Sequence, residues 1–125
     1  MEFKENKAIY LQIADKICDE ILTEKYVEEE RIPSVREYSA EVEVNVNTVM
    51  RAYDYLQQQG VIFTKRGLGY FVSHGAKTAI GDIRREEFFN EVVPGLFSAM
   101  KTLGIGIDEV VARFHENSSS LSIKK

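Results

Sequence analysis

The chain of 125 residues has few of the residue types that would place it in several common functional classes. Its one cysteine, Cys18, excludes an internal disulfide, and a lone thiol of this kind is expected to be buried and reduced. Its two histidines, His74 and His115, are far apart and have no partner at metal-ligand spacing. No Ser-His-Asp or phosphate-loop pattern occurs. We therefore expect no enzyme activity, no metal and no cofactor.

Long hydrophobic runs and a signal sequence are also missing. No stretch approaches the roughly 20 apolar residues that a membrane-spanning helix needs. The sequence therefore predicts a soluble, cytoplasmic protein without a membrane partner. A chain of this length can hold one ordinary core, or one small domain with an appendage.

A short capped helix is predicted near the end of the first third of the chain. Pro33 ends the preceding segment, Ser34 is a good N-cap, and Glu37 completes a capping box with it. The helix is expected to end near residues 40–41, because a β-branched stretch broken by Asn45 follows, and asparagine favours a turn.

A second helix is predicted to follow this turn, with Asn47 as its N-cap and Gly60 as its end. Its exposed face begins with groups suited to a DNA major groove, because asparagine can bond adenine, arginine can bond guanine, and a threonine hydroxyl can take a phosphate. On this helix alone, a helix cap and a solvated polar face account equally well for such residues at these positions. The candidates are Asn47, Thr48 and Arg51, and the apolar stripe on the other face is Val49, Ala52, Tyr53 and Leu56.

Two strand-like runs flank the segment K-R-G-L-G at residues 65–69, which predicts a β-hairpin. Gly67 and Gly69 can take positive φ and let the main chain approach a ligand closely. Lys65 and Arg66 can lie along a phosphate backbone or enter a minor groove. A hairpin with cations at its tip, directly after a capped helix pair, is typical of a winged helix-turn-helix, and it predicts a DNA-binding regulator.

The chain resembles the GntR family of bacterial transcription regulators over about residues 8–72. The family pattern is roughly Y-x-Q-I, L-P-S-x-R-x-L-A, T-V-x-x-A-x-x-x-L, E-G-x-I and G-x-G-x-F-V. The segments in register here are Y-L-Q-I, I-P-S-V-R-E-Y-S-A, T-V-M-R-A-Y-D-Y-L, G-V-I and R-G-L-G-Y-F-V. The variant N-V-N-T-V-M-R-A-Y looks like the YtrA-type branch, which has a short C-terminal segment. This resemblance implies a dimeric, operator-binding regulator. We expect a repressor, because a compact dimer lying over a promoter blocks polymerase by occupancy alone.

The same resemblance implies roles for individual residues. Arg36 matches the family's base- or phosphate-contacting arginine. Val46 and Met50 stand where many members have arginine, so the operator of those relatives cannot be transferred. The full set expected to contact double-stranded DNA is Ser34, Arg36, Asn45, Asn47, Thr48, Arg51, Lys65, Arg66, Gly67 and Gly69.

Charge is the main argument against a DNA partner. Residues 1–75 hold nine lysines and arginines against thirteen acidic residues, whereas DNA-binding domains are usually basic. Most of these acids precede the predicted contact elements, and between residues 45 and 75 only Asp54 opposes three cations. We therefore expect a locally positive surface with few phosphate contacts and modest non-specific affinity.

The chain is expected to divide into a winged helix-turn-helix domain at residues 1–75 and a C-terminal two-helix dimerisation segment at residues 76–125. Residues 74–81 read as a polar linker, with a helix starting near Asp82 and bent at Pro94-Gly95. Gly104 turns the chain into a final helix, and the serine-rich tail is expected to be frayed. Residues expected at the dimer interface are Phe88, Phe89, Val92, Val93, Leu96, Phe97, Met100 and Leu103.

Alternatives remain at this stage. The C-terminal helices could fold back onto their own winged domain instead of pairing with a second copy. An acidic winged helix could bind a protein and never touch nucleic acid. The appendage is too short to enclose a drug-sized ligand as larger relatives do, but a small-molecule effector in an apolar pocket between dimer helices stays open.

Overall fold

The computed structural model describes residues 7–121, with side chains up to residue 118. This part of the chain is mainly helical with one small antiparallel hairpin, as the sequence predicted. Its contacts divide it into two units, one ending at Arg84 and one beginning at Arg85. The elements are α1 (Ile9–Leu22), α2 (Val35–Val42), α3 (Val46–Gln58), β1 (Ile62–Lys65), β2 (Gly69–Val72), α4 (Ala76–Glu87), a π-helical turn (Phe88–Val92), α5 (Val93–Leu103) and α6 (Ile107–Leu121).

The core of the first unit is formed where the apolar stripes of α1 and α3 meet. Side chains at helical spacing point inward from both helices, so that each helix buries one face and leaves the other to solvent. Cys18 is buried at the edge of the α1 stripe and is not part of a disulfide. The fully buried members from these two helices are Ile13, Ile17, Ile21, Val49, Ala52, Tyr53 and Leu56.

Helix α2 begins with the capping box that the sequence predicted. The Glu37 amide donates to Ser34 Oγ at 3.1 Å, and the Ser34 amide donates to Glu37 Oε1 at 2.8 Å. These hydrogen bonds from Ser34 lower the pKa of the Glu37 carboxyl. The helix extends to Val42, slightly beyond the predicted end, and Glu43 then takes the left-handed conformation with φ of 56°.

The hairpin pairs Ile62 with Val72 and Lys65 with Gly69. A third segment lies along β2, because the Ile32 amide donates to the Tyr70 carbonyl and the Val72 amide donates to the Glu30 carbonyl. The chain that leads into α2 therefore supports β2 of the hairpin.

The predicted linker at residues 74–81 is wrong, because most of this segment is helical. Helix α4 starts at Ala76, not near Asp82. Ala76 and Ile80, one turn apart, are both buried in the core of the first unit. Burial of this pair stabilises a helix in a segment whose local composition reads as polar and irregular.

The second unit contains the predicted disturbance at Pro94, although it takes the form of a π-helical turn. Proline lacks an amide proton and its ring clashes with the carbonyl four residues earlier. The turn just before it is widened, with the Val93 amide donating to the Phe88 carbonyl. Gly104 ends α5 with φ of 69°, as a C-terminal glycine commonly does.

Helix α6 continues through the serine-rich stretch to Leu121. The prediction that this tail is frayed is therefore wrong for residues 117–121. Residues 122–125, to which the same prediction applied, lie outside the described part of the chain.

A buried carboxylate joins α1 to α2. Glu20 is 8% exposed, and its Oε1 accepts a hydrogen bond of 2.8 Å from the Tyr38 hydroxyl. Its Oε2 accepts from Lys16 Nζ at 2.7 Å and from Lys25 Nζ at 3.4 Å. Burial and the contact with Glu20 raise the pKa of Tyr38 far above its usual value, so that this hydroxyl remains a donor. The charge is thus compensated on both oxygens.

Tyr38→Phe removes the hydroxyl that satisfies Glu20, and we expect it to lower the free energy of unfolding by roughly 1–3 kcal/mol. Tyr26→Phe is the matched control, since the Tyr26 hydroxyl is buried without a hydrogen bond of standard geometry in the described residues. The control should be neutral or slightly stabilising. Urea unfolding of the two variants measures the difference, and equal losses would contradict the role given to the Tyr38 hydroxyl.

Candidate nucleic-acid interface

The N-terminal half of α3 carries the predicted contact residues, but its cap is one that the sequence analysis placed wrongly. Asn45, not Asn47, is the N-cap, and its Oδ1 accepts from the Asn47 amide at 2.8 Å. Asn47 therefore lies in the first turn, and its side chain is exposed. Arg51, one turn further, is exposed as well, and Thr48 between them is half-buried.

An open cleft of about 350 Å³ lies beside this half of the helix, between the starts of α1 and α3. In it, the guanidinium carbon of Arg51 lies 4.1 Å from the centre of the Tyr10 ring. The cleft is lined by Ala8, Ile9, Tyr10, Asn47, Thr48 and Arg51. The structure thus brings Asn47, Thr48 and Arg51 together at one cleft.

Ser34 and Arg36 lie at the start of α2. The Ser34 hydroxyl oxygen accepts the Glu37 amide within the capping box. Arg36 is exposed in the first turn of the helix. It makes no ion pair or hydrogen bond with the described residues.

The tip of the hairpin is a tight turn in which the Leu68 amide donates to the Lys65 carbonyl at 2.9 Å. Gly67 and Gly69 take φ of 78° and 110°, so that the positive φ expected at both positions is present. Lys65 bends back over the aromatic face of the hairpin, with Nζ 4.6 Å from the centre of the Phe71 ring. Arg66 is exposed at the tip.

Arg31 is a contributor that the sequence analysis missed. Its Nε donates to the Leu68 carbonyl at 3.2 Å, and its guanidinium lies 3.6 Å from Glu37 Oε1. It therefore fixes the tip of the hairpin relative to the start of α2. No local signal identifies this role, because the hydrogen bond joins residues that are distant in sequence.

The cations of the first unit fall into two groups. Within residues 7–84, Arg36, Arg51, Lys65 and Arg66 make no ion pair. Every other lysine or arginine there lies within 4 Å of a carboxylate oxygen: Lys7, Lys16, Lys25, Arg31, Lys77 and Arg84. Within residues 7–84, the positive charges without carboxylate partners are thus those at the starts of α2 and α3 and in the hairpin. An acidic chain therefore keeps uncompensated positive charge on the elements predicted to contact DNA.

The part of the chain that the structure describes contains neither a candidate metal site nor a candidate membrane-spanning helix. No group of three or more histidine, cysteine or acidic side chains is placed to hold a metal ion there. Among the described helices, none is both long enough and apolar enough to span a membrane.

A capped helix pair, a helix with a polar exposed start and a glycine-tipped hairpin together define a winged helix-turn-helix, the class of DNA-binding regulators. Residues 9–72 match the model of the gntR family of bacterial regulatory proteins, and the chain belongs to this family. It is accordingly a transcription regulator with a DNA-binding helix-turn-helix domain.

Similar proteins extend the family assignment beyond the winged domain. The HTH-type transcriptional regulator YhcF of Bacillus subtilis is 34% identical over 110 residues, covering 88% of this chain and 89% of YhcF. The HTH-type transcriptional repressor YtrA of the same organism is 38% identical over 72 residues, covering 58% of this chain and 55% of YtrA. A crystal structure of a GntR-family regulator from Bacteroides thetaiotaomicron is 53% identical, with a TM-score of 0.77. The match covers 91% of this chain and 99% of the chain in that structure.

Gly69→Ala tests the rigidity of the hairpin tip. At φ of 110°, an added Cβ would lie 3.0 Å from Arg31 Nε, and moving that side chain breaks its hydrogen bond to Leu68. We expect a loss of roughly 1–3 kcal/mol in the free energy of unfolding. Gly67→Ala is the control, since its φ is positive but no other atom lies within 4 Å. It should cost only about 1 kcal/mol, and an equal or larger cost at Gly67 in urea unfolding would rule out the steric contribution of Arg31.

Proposed function

We propose that this protein is a sequence-specific regulator that binds an inverted-repeat operator as a homodimer, through α3 and the hairpin. The observation that carries the proposal is the set of cations that have no carboxylate partner within residues 7–84, namely Arg36, Arg51, Lys65 and Arg66. DNA supplies the missing negative charge, because each cation that neutralises a phosphate releases a counterion.

The residues divide by the chemistry that each can offer to DNA. Asn47, Thr48 and Arg51 would read the major groove, since their side chains flank the cleft at the start of α3. Arg36, Lys65 and Arg66 would hold phosphates, and the Gly67 and Gly69 backbone would pass close to the duplex. Ser34 and Asn45 act mainly through the caps in which their oxygens are engaged.

A second copy of this chain is the proposed occupant of the apolar face of α5 and α6. No side chain of residues 85–118 is buried, although the unit is rich in large apolar groups. On α5, the residues Val93, Leu96, Phe97, Met100 and Leu103 recur at helical spacing, and Leu103 is 69% exposed. A stripe of this kind is self-complementary across a two-fold axis. The same symmetry suits an inverted repeat.

Repression is the proposed outcome of operator binding. A compact dimer lying over a promoter blocks polymerase by occupying the site, without a further activity. The name of YtrA as a transcriptional repressor supports this direction of control, although the similarity covers only about half of each chain.

Selection of random duplex DNA on the purified protein should enrich an inverted repeat. Arg51→Ala should then lose about 1–3 kcal/mol of discrimination at one base pair of each half-site, because a base reader is removed. Arg66→Ala is the matched control on the hairpin. It should weaken binding to all sequences equally and reduce the salt slope by about 1, because a phosphate contact is removed.

Two results would contradict this assignment. Failure to enrich any sequence, with the fold intact, would favour the alternative of a protein-interaction module. Loss of affinity in Arg51→Ala without any change in base preference would show that Arg51 contacts only the DNA phosphate backbone.

Leu96→Glu should convert the protein from a dimer to a monomer and weaken operator binding, because it places a charge in the proposed interface. Ser98→Glu is the control, since it lies on the same helix roughly 200° away and is already exposed. Sedimentation at micromolar concentration distinguishes the two variants. A wild-type protein that sediments as a monomer there would refute the dimer, and would leave the apolar face to contacts within the chain.

A further inference from the structure

The contact between Arg51 and Tyr10 involves three side chains from two helices. Tyr10, in the first turn of α1, presents its ring face to the Arg51 guanidinium at 4.1 Å. Tyr55, one turn beyond Arg51 on α3, meets the Tyr10 ring edge-on, with centroids 6.3 Å apart and planes at 76°. Tyr10 therefore contacts two residues of the same helix, Arg51 over its ring face and Tyr55 in an edge-to-face contact.

We propose that Tyr10 is a positioning residue that orients the Arg51 guanidinium for base readout. This inference rests on the proposed function, in which Arg51 reads a base. An arginine that reads guanine uses two donors in a planar fork. A guanidinium held over a ring face is restrained in position, while this contact uses none of its five N–H donors. An ion pair would fix the same group but would occupy those donors.

Ordering the Arg51 side chain before DNA binds matters because arginine has a long side chain with many rotamers. It makes no ion pair or hydrogen bond with the described residues, so that the ring of Tyr10 is the contact that limits its rotamers. Ordering a long side chain during binding costs affinity, and ordering it beforehand removes that cost. Only a correctly placed pair of guanidinium donors distinguishes guanine from the other bases. The contact between Arg51 and Tyr10 should therefore affect specificity as well as affinity.

Tyr10 is suited to substitution because it lies at the margin of the core. It is half-buried and packs against the core, whereas Ile13 and Ile17 of the same helix are fully buried. Leucine or methionine at position 10 keeps an apolar helix-forming side chain but removes the aromatic face. Phenylalanine keeps the face and removes only the hydroxyl.

The test compares Tyr10→Leu, Tyr10→Met and Tyr10→Phe for binding to the selected inverted repeat and to the repeat changed at the base pair that Arg51 reads. Tyr10→Leu and Tyr10→Met should lose about two- to fivefold in discrimination, which is the effect of an exposed cation–π contact. Tyr10→Phe should behave as wild type. In an Arg51→Ala background, Tyr10→Leu should have no further effect. Thermal unfolding identifies folded variants, and Tyr10→Met serves if Tyr10→Leu does not fold.

Three results would overturn the inference. Unchanged discrimination in both folded apolar variants, with a loss in Arg51→Ala, would refute positioning by Tyr10 but leave the proposed base readout intact. An equal loss in Tyr10→Phe would assign the effect to the hydroxyl, as in a phosphate contact. Unchanged base preference in Arg51→Ala itself would remove the base readout, and the role of Tyr10 with it.

Discussion

The packing of Tyr53 is the constraint on which the geometry of the winged unit depends. Its ring is fully buried in α3 and meets the Tyr70 ring of the hairpin edge-on at 4.9 Å. It also contacts the Tyr38 ring of α2 at 6.2 Å, and its hydroxyl donates to the Pro33 carbonyl at 2.7 Å. One side chain thus connects α3 to the hairpin, to α2 and to the chain that precedes α2. A protein that reads a groove and a phosphate backbone together needs these elements at fixed separations, because base readout depends on register.

The charge distribution explains how an acidic chain can present a surface for DNA. Several carboxylates of the first unit form ion pairs with its lysines and arginines, as at Glu20, which pairs with both Lys16 and Lys25. Within residues 7–84, the cations without such partners lie on the elements predicted to contact DNA. The net charge of this chain is therefore a poor guide to whether it binds DNA. The ion pairing of each lysine and arginine is a better guide. The acidic remainder also disfavours loose attachment to arbitrary DNA, which favours recognition by base contacts over attraction to phosphate.

Features coded within a few residues could be predicted from the sequence, and features that depend on distant contacts could not. The Ser34 capping box and the positive φ of Gly67 and Gly69 follow from local chemistry. The cap of α3 was assigned to the wrong asparagine, because Asn45 and Asn47 both suit the position. Helix α4 was missed since burial of Ala76 and Ile80 against other elements decides it. The contacts of Arg31 with Leu68 and of Tyr10 with Arg51 likewise have no local signature. They determine how the site is held, whereas residue types determine what it can bind.

The two units differ in how far each is stabilised by packing within a single chain. The winged unit encloses a core of its own, but residues 85–118 bury no side chain completely. Helices that expose side chains such as Phe97 and Phe114 gain little from packing within such a unit, and short isolated helices are marginal in water. Under the proposed function, the second copy supplies the missing burial, so that folding of α5 and α6 and association are linked. The fraction of operator that is bound then depends on protein concentration in two ways, through dimer formation and through DNA binding. The winged unit, by contrast, has its core and its contact geometry already in the single chain.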